Sequence, residues 1–279
     1  MTINVNESFL TEKALDYARL SDLAYATWIK EGNSWILDDH QENYAYYQDM
    51  WNKLKTQKGY TIVDHTPNDW LSGFSATIFY KDGRDILAIR GTEKTDPRDI
   101  VVADGDILMG QLPAGQYESM VRYINEKTLY DFDITGHSLG GCLAQAAKAS
   151  FAGVKDVYTY NAPGAKTFIP YVSAGTEPIT GKVIVTPIGM PTSIFLWDQF
   201  TWNKYETYLA NRNSVDAGVY NISGGIWAAP FAGPGTDIGP EVFTATSSHF
   251  IKDMIYSFQL GKYYIDPHKP VTFVGSKAD

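Results

Sequence analysis

Asp133-Ile134-Thr135-Gly136-His137-Ser138-Leu139-Gly140-Gly141-Cys142-Leu143-Ala144 is a short β-branched run that meets a Gly-x-Ser-x-Gly turn and passes into an alanine-rich segment. The order strand, tight turn, helix is that of a nucleophile elbow. A serine in such a turn is held in a strained backbone conformation, and a side chain two residues to either side of it would collide with its neighbours. Gly136 and Gly140 remove those collisions. The serine oxygen then stands clear at the strand end, where the N-terminus of the following helix offers N–H groups and a positive dipole end to a developing oxyanion. The five-residue pattern can arise by chance in a chain with 24 glycines. Here the strand before it, the helix after it and the Gly140-Gly141 pair all fit one geometry.

A chain of 279 residues buries one large core or two modest ones. With no Pro/Ser-rich linker and no break in composition, 1–279 reads as one α/β domain with a lid or substrate-binding excursion at about 165–216. The net charge of −9 argues against a nucleic-acid partner, because phosphate binding needs a basic surface. The lone Cys142 excludes an internal disulfide framework and a multi-cysteine metal site, and no metal or other cofactor is expected. The start, Met1 to Asn6, has neither the basic region nor the apolar run of a secretory signal peptide. No apolar run reaches the roughly 18 residues of a transmembrane helix. The expectation is a soluble protein without a membrane anchor, cytoplasmic or exported by a signal-independent route.

Apolar residues recur at three- and four-residue spacing from Thr11 to Trp28, which predicts an amphipathic packing helix. Asp38 to Gln41 is the expected cap of a second helix, Gln41 to Lys58, closed by Gly59. Tyr60 to Asp64 reads as a short strand. Gly73 to Tyr80 and Asp85 to Arg90 are longer strands joined through Asp82-Gly83, a hairpin signal, so the sheet opens antiparallel. Pro113 to Lys127 reads as a helix feeding the strand 129–135, a crossover that makes the following strands parallel. Val154 to Asn161 and Val219 to Ile222 are further strands, and a closing helix begins after His249 and ends at Gly261. Residues 165–215 lose regular periodicity apart from Lys182-Val183-Ile184-Val185. The expected fold class is α/β, with a mostly parallel central sheet, an antiparallel N-terminal hairpin and helices on both faces.

A serine hydroxyl needs a general base, in this setting a histidine held by an acid. Of the five histidines, His137 lies inside the elbow and cannot turn back on Ser138, and His40 and His65 precede the serine, against the chain order Ser, acid, His. His268 stands in a tail between Pro267 and Pro270, which leaves His249 as the base. Among the carboxylates between Ser138 and His249, Asp156 and Asp216 lie at the amino ends of strands. Glu177, Asp198 and Glu206 fall in the excursion. Catalytic groups gather at the carboxyl ends of parallel strands, so Asp237 is the first candidate acid, with Glu241 behind it. A turn-forming role in Gly235-Thr236-Asp237-Ile238-Gly239 explains Asp237 equally well. Thr92, in the Gly91-Thr92 loop after the Ile86–Arg90 strand, and Leu139, next to the nucleophile, are the candidate oxyanion donors.

Ala88-Ile89-Arg90-Gly91-Thr92-Glu93, taken with Thr135 to Gly141, resembles the class-three lipases, in particular their bacterial lipase and phospholipase A1-like branch. Ser72 to Thr77 and Tyr158 to Gly164 resemble that branch too, so the likeness spans about residues 14–260. It implies an α/β-hydrolase fold and the hydrolysis of lipid or lipid-like esters at a transiently contacted lipid surface, with Thr92 in the oxyanion hole, Ser138 as nucleophile and His249 as base. One feature departs from the family. An aspartate usually follows the strand that here ends Tyr220-Asn221-Ile222, and this chain has Ser223-Gly224-Gly225. Asp237 in its place, a weaker Ser-His pair, or impaired catalysis would each follow. The calcium-binding repeats of the family's secreted members are absent from the sequence.

Three readings compete. The first is a lipase, esterase or phospholipase acting through an acyl-enzyme. The second is a catalytically weak lipid- or protein-binding member of the same fold. The third is a peptidase or acyltransferase on the same elbow. Aromatic residues gathered between 190 and 235, Trp197, Trp227 and Phe231 among them, are candidates for a mouth and acyl-binding wall, with core packing as the alternative.

Overall fold

The structure is a computed structural model that describes residues 7–67, 69, 72–91, 111–189, 194–215, 217–224, 241–244, 251–259 and 263–265. Its centre is an eight-stranded sheet in the order β13-β12-β11-β7-β6-β5-β4-β3. These strands are β3 (Thr61–Thr66), β4 (Ala76–Lys81), β5 (Arg84–Ile89), β6 (Phe132–His137), β7 (Val154–Tyr160), β11 (Val219–Gly224), β12 (Glu241–Thr244) and β13 (Tyr263–Ile265). The run from β5 through β6, β7 and β11 to β12 is parallel, and antiparallel pairs close both edges. This is the expected α/β class, antiparallel opening included. Asp82 and Gly83, at φ 49° and 82°, make the predicted hairpin turn.

Both faces of the sheet are covered, so the central strands read as continuous apolar runs rather than alternating ones. In β5, Leu87 and Ile89 face one core while Ile86 and Ala88 face the other. Helices α1 (Glu7–Leu23) and α2 (Tyr44–Asn52) cover the second face together with α6 (Ile251–Gln259). Helices α3 (Ala114–Glu126), α4 (Leu139–Ser150) and α5 (Gln199–Asn211) cover the first.

Several expectations are corrected. The first helix ends at Leu23, and Trp28 instead opens a hairpin of β1 (Trp28–Glu31) and β2 (Ser34–Leu37). Its indole N–H donates to Leu23 O at 3.1 Å, so the tryptophan that completed the helical pattern packs back on the helix as a strand residue. The second helix starts at Tyr44 with Asn43 at φ 60° and no side-chain cap, because Asp38 and Gln41 are used within the loop. It runs into a π-helical turn, Lys53–Gln57, before Gly59 at φ 76° closes it as expected. The strand expected at 60–64 runs from Thr61 to Thr66. The segment 165–215 is not irregular. It holds a separate antiparallel sheet of β8 (Tyr171–Thr176), β9 (Val183–Pro187) and β10 (Phe195–Trp197), followed by α5. No described helix is long and apolar enough to cross a membrane.

His65 on β3 lies opposite Thr77 on β4, buried, with Nδ1 3.0 Å from Thr77 Oγ1 and its ring edge-on to Trp35. Burial pushes its pKa down to about 4 against the opposing pull of Asp64, and Arg90 adds to the lowering. The folded imidazole therefore refuses a proton that the unfolded one accepts below about 6.5. The unfolded chain binds more protons across that window, so stability is lost as pH falls through it, by ~3 kcal/mol in all. Urea titrations at pH 7 and pH 4.5 should show this slope, and His65→Gln should flatten it. An unchanged slope in the variant would assign the acid sensitivity to other groups.

Candidate active site

The carboxyl end of β6 runs directly into α4 through Ser138, the one residue between them, at φ 55° and ψ −129°. That left-handed backbone is costly for a residue with a Cβ and persists only where its surroundings enforce it. The enforcing contacts are visible. A Cβ on Gly136 would lie 2.3 Å from the Gly140 carbonyl carbon, and one on Gly140 would lie 2.2 Å from Ile89 O. Only glycine lets β6, the first turn of α4 and the end of β5 approach so closely. Ser138 N–H donates to Tyr160 O at 2.9 Å, tying the elbow to β7 as well.

Ser138 is partly exposed while every residue from Phe132 to His137 and from Leu139 to Ala147 is buried. Its side chain makes no capping hydrogen bond to α4. Leu139 is the first residue of α4, so its N–H has no acceptor within the helix and lies at the positive dipole end. Gly91 comes up against the serine: a Cβ there would sit 3.1 Å from Ser138 Cβ and 2.5 Å from His137 O. The chain thus leaves β5 for residue 92 beside the elbow.

His137 Nδ1 is 2.8 Å from Tyr25 Oη. The same phenol accepts from Gly91 N–H at 3.1 Å. The sequence carries no signal for this role, since Tyr25 falls at the three- and four-residue spacing of the first helix's apolar positions. Asp22, one turn before it, is a buried carboxylate accepting from Tyr46 Oη, and burial pushes its pKa up to about 6 against the opposing Tyr46 hydrogen bond and Lys252.

Of the other candidates, Thr92, Asp237, His249, Trp227 and Phe231 lie outside the described residues. The alternative acid Glu241 opens β12, opposite Asn221. Through Asn221 and Thr159 the register sets it level with Gly136 on β6, three strands away from the elbow. Asp156 lies near the amino end of β7, bonded to Lys13, as expected of a residue at that end. Asp198 caps α5 by accepting from Thr201 N–H at 2.6 Å. At the family's acid position, Ser223 and Gly224 continue β11, paired with Phe243 and Thr244. For a metal, the described residues offer half-buried Asp38 with exposed Asp39 and His40, where Asp39 raises the imidazole's pKa.

No family model matches the chain, and no curated protein matches it either. Among solved structures it is similar to fungal lipases. Lipase II from Rhizopus niveus is 15% identical over 86% of this chain and 82% of that one, with a TM-score of 0.40. A fungal lipase–inhibitor complex is 12% identical over the same shares, with a TM-score of 0.42. A triacylglycerol lipase described as having a serine-protease triad is 13% identical over 86% and 82%, with a TM-score of 0.41. Likeness at this level leaves activity to be argued from the residues themselves.

Trp197 is corrected from mouth to core. It is fully buried on β10, with ring centroids 5.2 Å from Tyr205, 5.5 Å from Tyr171 and 5.7 Å from Tyr117. Trp197→Ala should cost on the order of 3 to 5 kcal/mol and lower the yield of folded protein. Total turnover should fall alike on short and long acyl esters, through the loss of folded protein. A change in acyl preference at unchanged melting temperature would return Trp197 to the substrate wall.

Proposed function

We propose that the chain is a serine hydrolase of carboxylic esters, a lipase or phospholipase A1-like esterase working through an acyl-enzyme on Ser138. The observation that carries this is the backbone of Ser138, held at φ 55° between β6 and α4 with Gly91 pressed against it. A strained, partly exposed serine at a helix N-terminus is built for nucleophilic attack with its oxyanion stabilised at once. In this reading the N–H groups of Leu139 and Thr92 receive the oxyanion, and His249 takes the serine proton and returns it to the leaving alcohol. In sequence His249 falls between β12, which ends at Thr244, and α6, which begins at Ile251. Asp237 remains the candidate acid, in the connection from β11 to β12. Trp227 and Phe231, in the same connection, remain the candidates for holding the acyl chain. Exposed Val172, Ile188, Ile194 and Leu196 provide apolar surface for transient contact with lipid. The bacterial lipase and phospholipase A1-like branch stays part of this reading on its sequence motifs alone.

One observation favours a second reading, a catalytically weak protein that binds lipid or another protein on the same scaffold. At the family's acid position β11 continues as Ser223-Gly224, without a carboxylate. A fluorophosphonate probe separates the two, since labelling requires an activated serine.

Ser138→Ala should abolish probe labelling and p-nitrophenyl ester turnover while leaving the circular dichroism melt unchanged. His249→Ala should cost a similar factor, and the double variant little more, because the two groups act as a unit. Turnover by Ser138→Ala at the wild-type rate would end the proposal. Thr92→Val keeps the backbone N–H and removes the hydroxyl. It should lower kcat by roughly ten- to a thousandfold at nearly constant KM. An unaltered kcat would take the hydroxyl out of the oxyanion hole.

A further inference from the structure

Helix α1 is laid along β6 by polar contacts at matched spacing. Tyr17 Oη donates to Asp133 Oδ2 at 2.7 Å, Ser21 Oγ is 2.7 Å from Thr135 Oγ1, and Tyr25 Oη is 2.8 Å from His137 Nδ1. Four helical residues rise about 6 Å and two strand residues about 6.6 Å, so residues four apart on α1 meet residues two apart on β6. Tyr25 lies just past the end of α1, but its N–H bonds Asp22 O at 3.0 Å and Ala24 N–H bonds Leu20 O at 3.0 Å, so the helical course carries on to it. The first two contacts deliver the third to the elbow.

At the elbow the phenol has two partners from different elements. Gly91 N–H, at the end of β5, donates to its oxygen at 3.1 Å, and His137, the last residue of β6, stands 2.8 Å away on the other side. The amide has only a proton to offer and takes a lone pair of the phenol oxygen. The phenol keeps its own proton to give and a second lone pair to receive, so His137 Nδ1 completes the bridge in either imidazole tautomer. Burial raises the phenol's pKa, so it keeps that proton at any working pH.

We infer that Tyr25 is a positioning residue for the reaction, the crosslink that holds the oxyanion strand end at Gly91 in register with the nucleophile strand end at His137-Ser138. The inference deepens the hydrolase reading and rests on it. Gly91 and His137 are the immediate neighbours of Thr92 and Ser138, so a shift between them moves an oxyanion donor relative to the attacked carbonyl. Such donors act only in the transition state and only at short range, so loosening them lowers kcat and leaves KM in place. Replacing tyrosine by phenylalanine removes the crosslink and keeps the ring.

The test compares Tyr25→Phe with Tyr17→Phe, the same change at the far end of the same row of contacts, next to Asp133 rather than the elbow. Both variants and the wild type are assayed on p-nitrophenyl esters. Active sites are counted by fluorophosphonate titration, so that kcat refers to folded, labelled molecules even if folding yields differ. Tyr25→Phe should lose about ten- to a hundredfold in kcat with KM within about twofold, whereas Tyr17→Phe should lose thermal stability with kcat within about twofold. Wild-type kcat in Tyr25→Phe, or an equal loss in Tyr17→Phe, would overturn the inference and leave the hydrolase reading standing. A wild-type chain that neither labels nor turns over would overturn the hydrolase reading, and this inference with it.

Discussion

Helix α4 and strand β5 approach so closely that no carbon fits between the helix's first turn and the Ile89 carbonyl. That contact turns an ordinary parallel sheet into a site. It obliges Gly140 to be glycine, and it leaves Ser138 no backbone conformation but the left-handed one between two fixed elements. The strain is local, and its compensation is distributed. Leu139, Cys142, Leu143, Ala144, Ala146 and Ala147 are fully or almost fully buried behind the elbow, so the helix cannot retreat without opening the core.

The opposite face of β6 is organised differently. Phe132 and Ile134 belong to the apolar core under α4, whereas Asp133, Thr135 and His137 turn toward α1 and are each met by a polar side chain. Asp133 also receives Lys13 Nζ at 3.1 Å, and Thr135 donates to Tyr158 O at 2.9 Å. Buried polar groups left unmet would each cost on the order of 1 to 3 kcal/mol, so this face tolerates only one register of α1. Apolar packing alone would let the helix slide by a turn at small cost. The polar row makes its position, and therefore that of Tyr25, a discrete choice.

The segment inserted between β7 and β11 shows how far a core can extend. Tyr171 N–H donates to Tyr205 Oη at 2.8 Å, and Tyr171 Oη donates to Leu112 O at 2.8 Å, joining the small sheet to α5 and to the lead-in of α3. Trp197 fills the space between them. Aromatic rings supply large buried area and a polar tip that needs a partner, which suits the seam between the small sheet and α5.

The sequence by itself determined the elbow, the hairpin at Asp82-Gly83 and the parallel middle of the sheet. Each rests on a local rule: two glycines two residues from a serine, an Asp-Gly between apolar runs, a helix linking two strands. Four things were decided only by tertiary structure. Trp28 left its helix for a hairpin, and the segment 165–215 found its periodicity in strands of three to six residues. Glu241 came level with Gly136 through the pairing of β12 on β11 and β11 on β7, which no local pattern reports. Tyr25 acquired its partners at residues 91 and 137, far away in the chain, and no pattern within a helix can report which side chain will meet an amide that distant. Local patterns record what the backbone must do within one turn. Contacts between elements depend on how whole helices register against whole strands, which is settled by packing and by the cost of leaving buried polar groups unpaired.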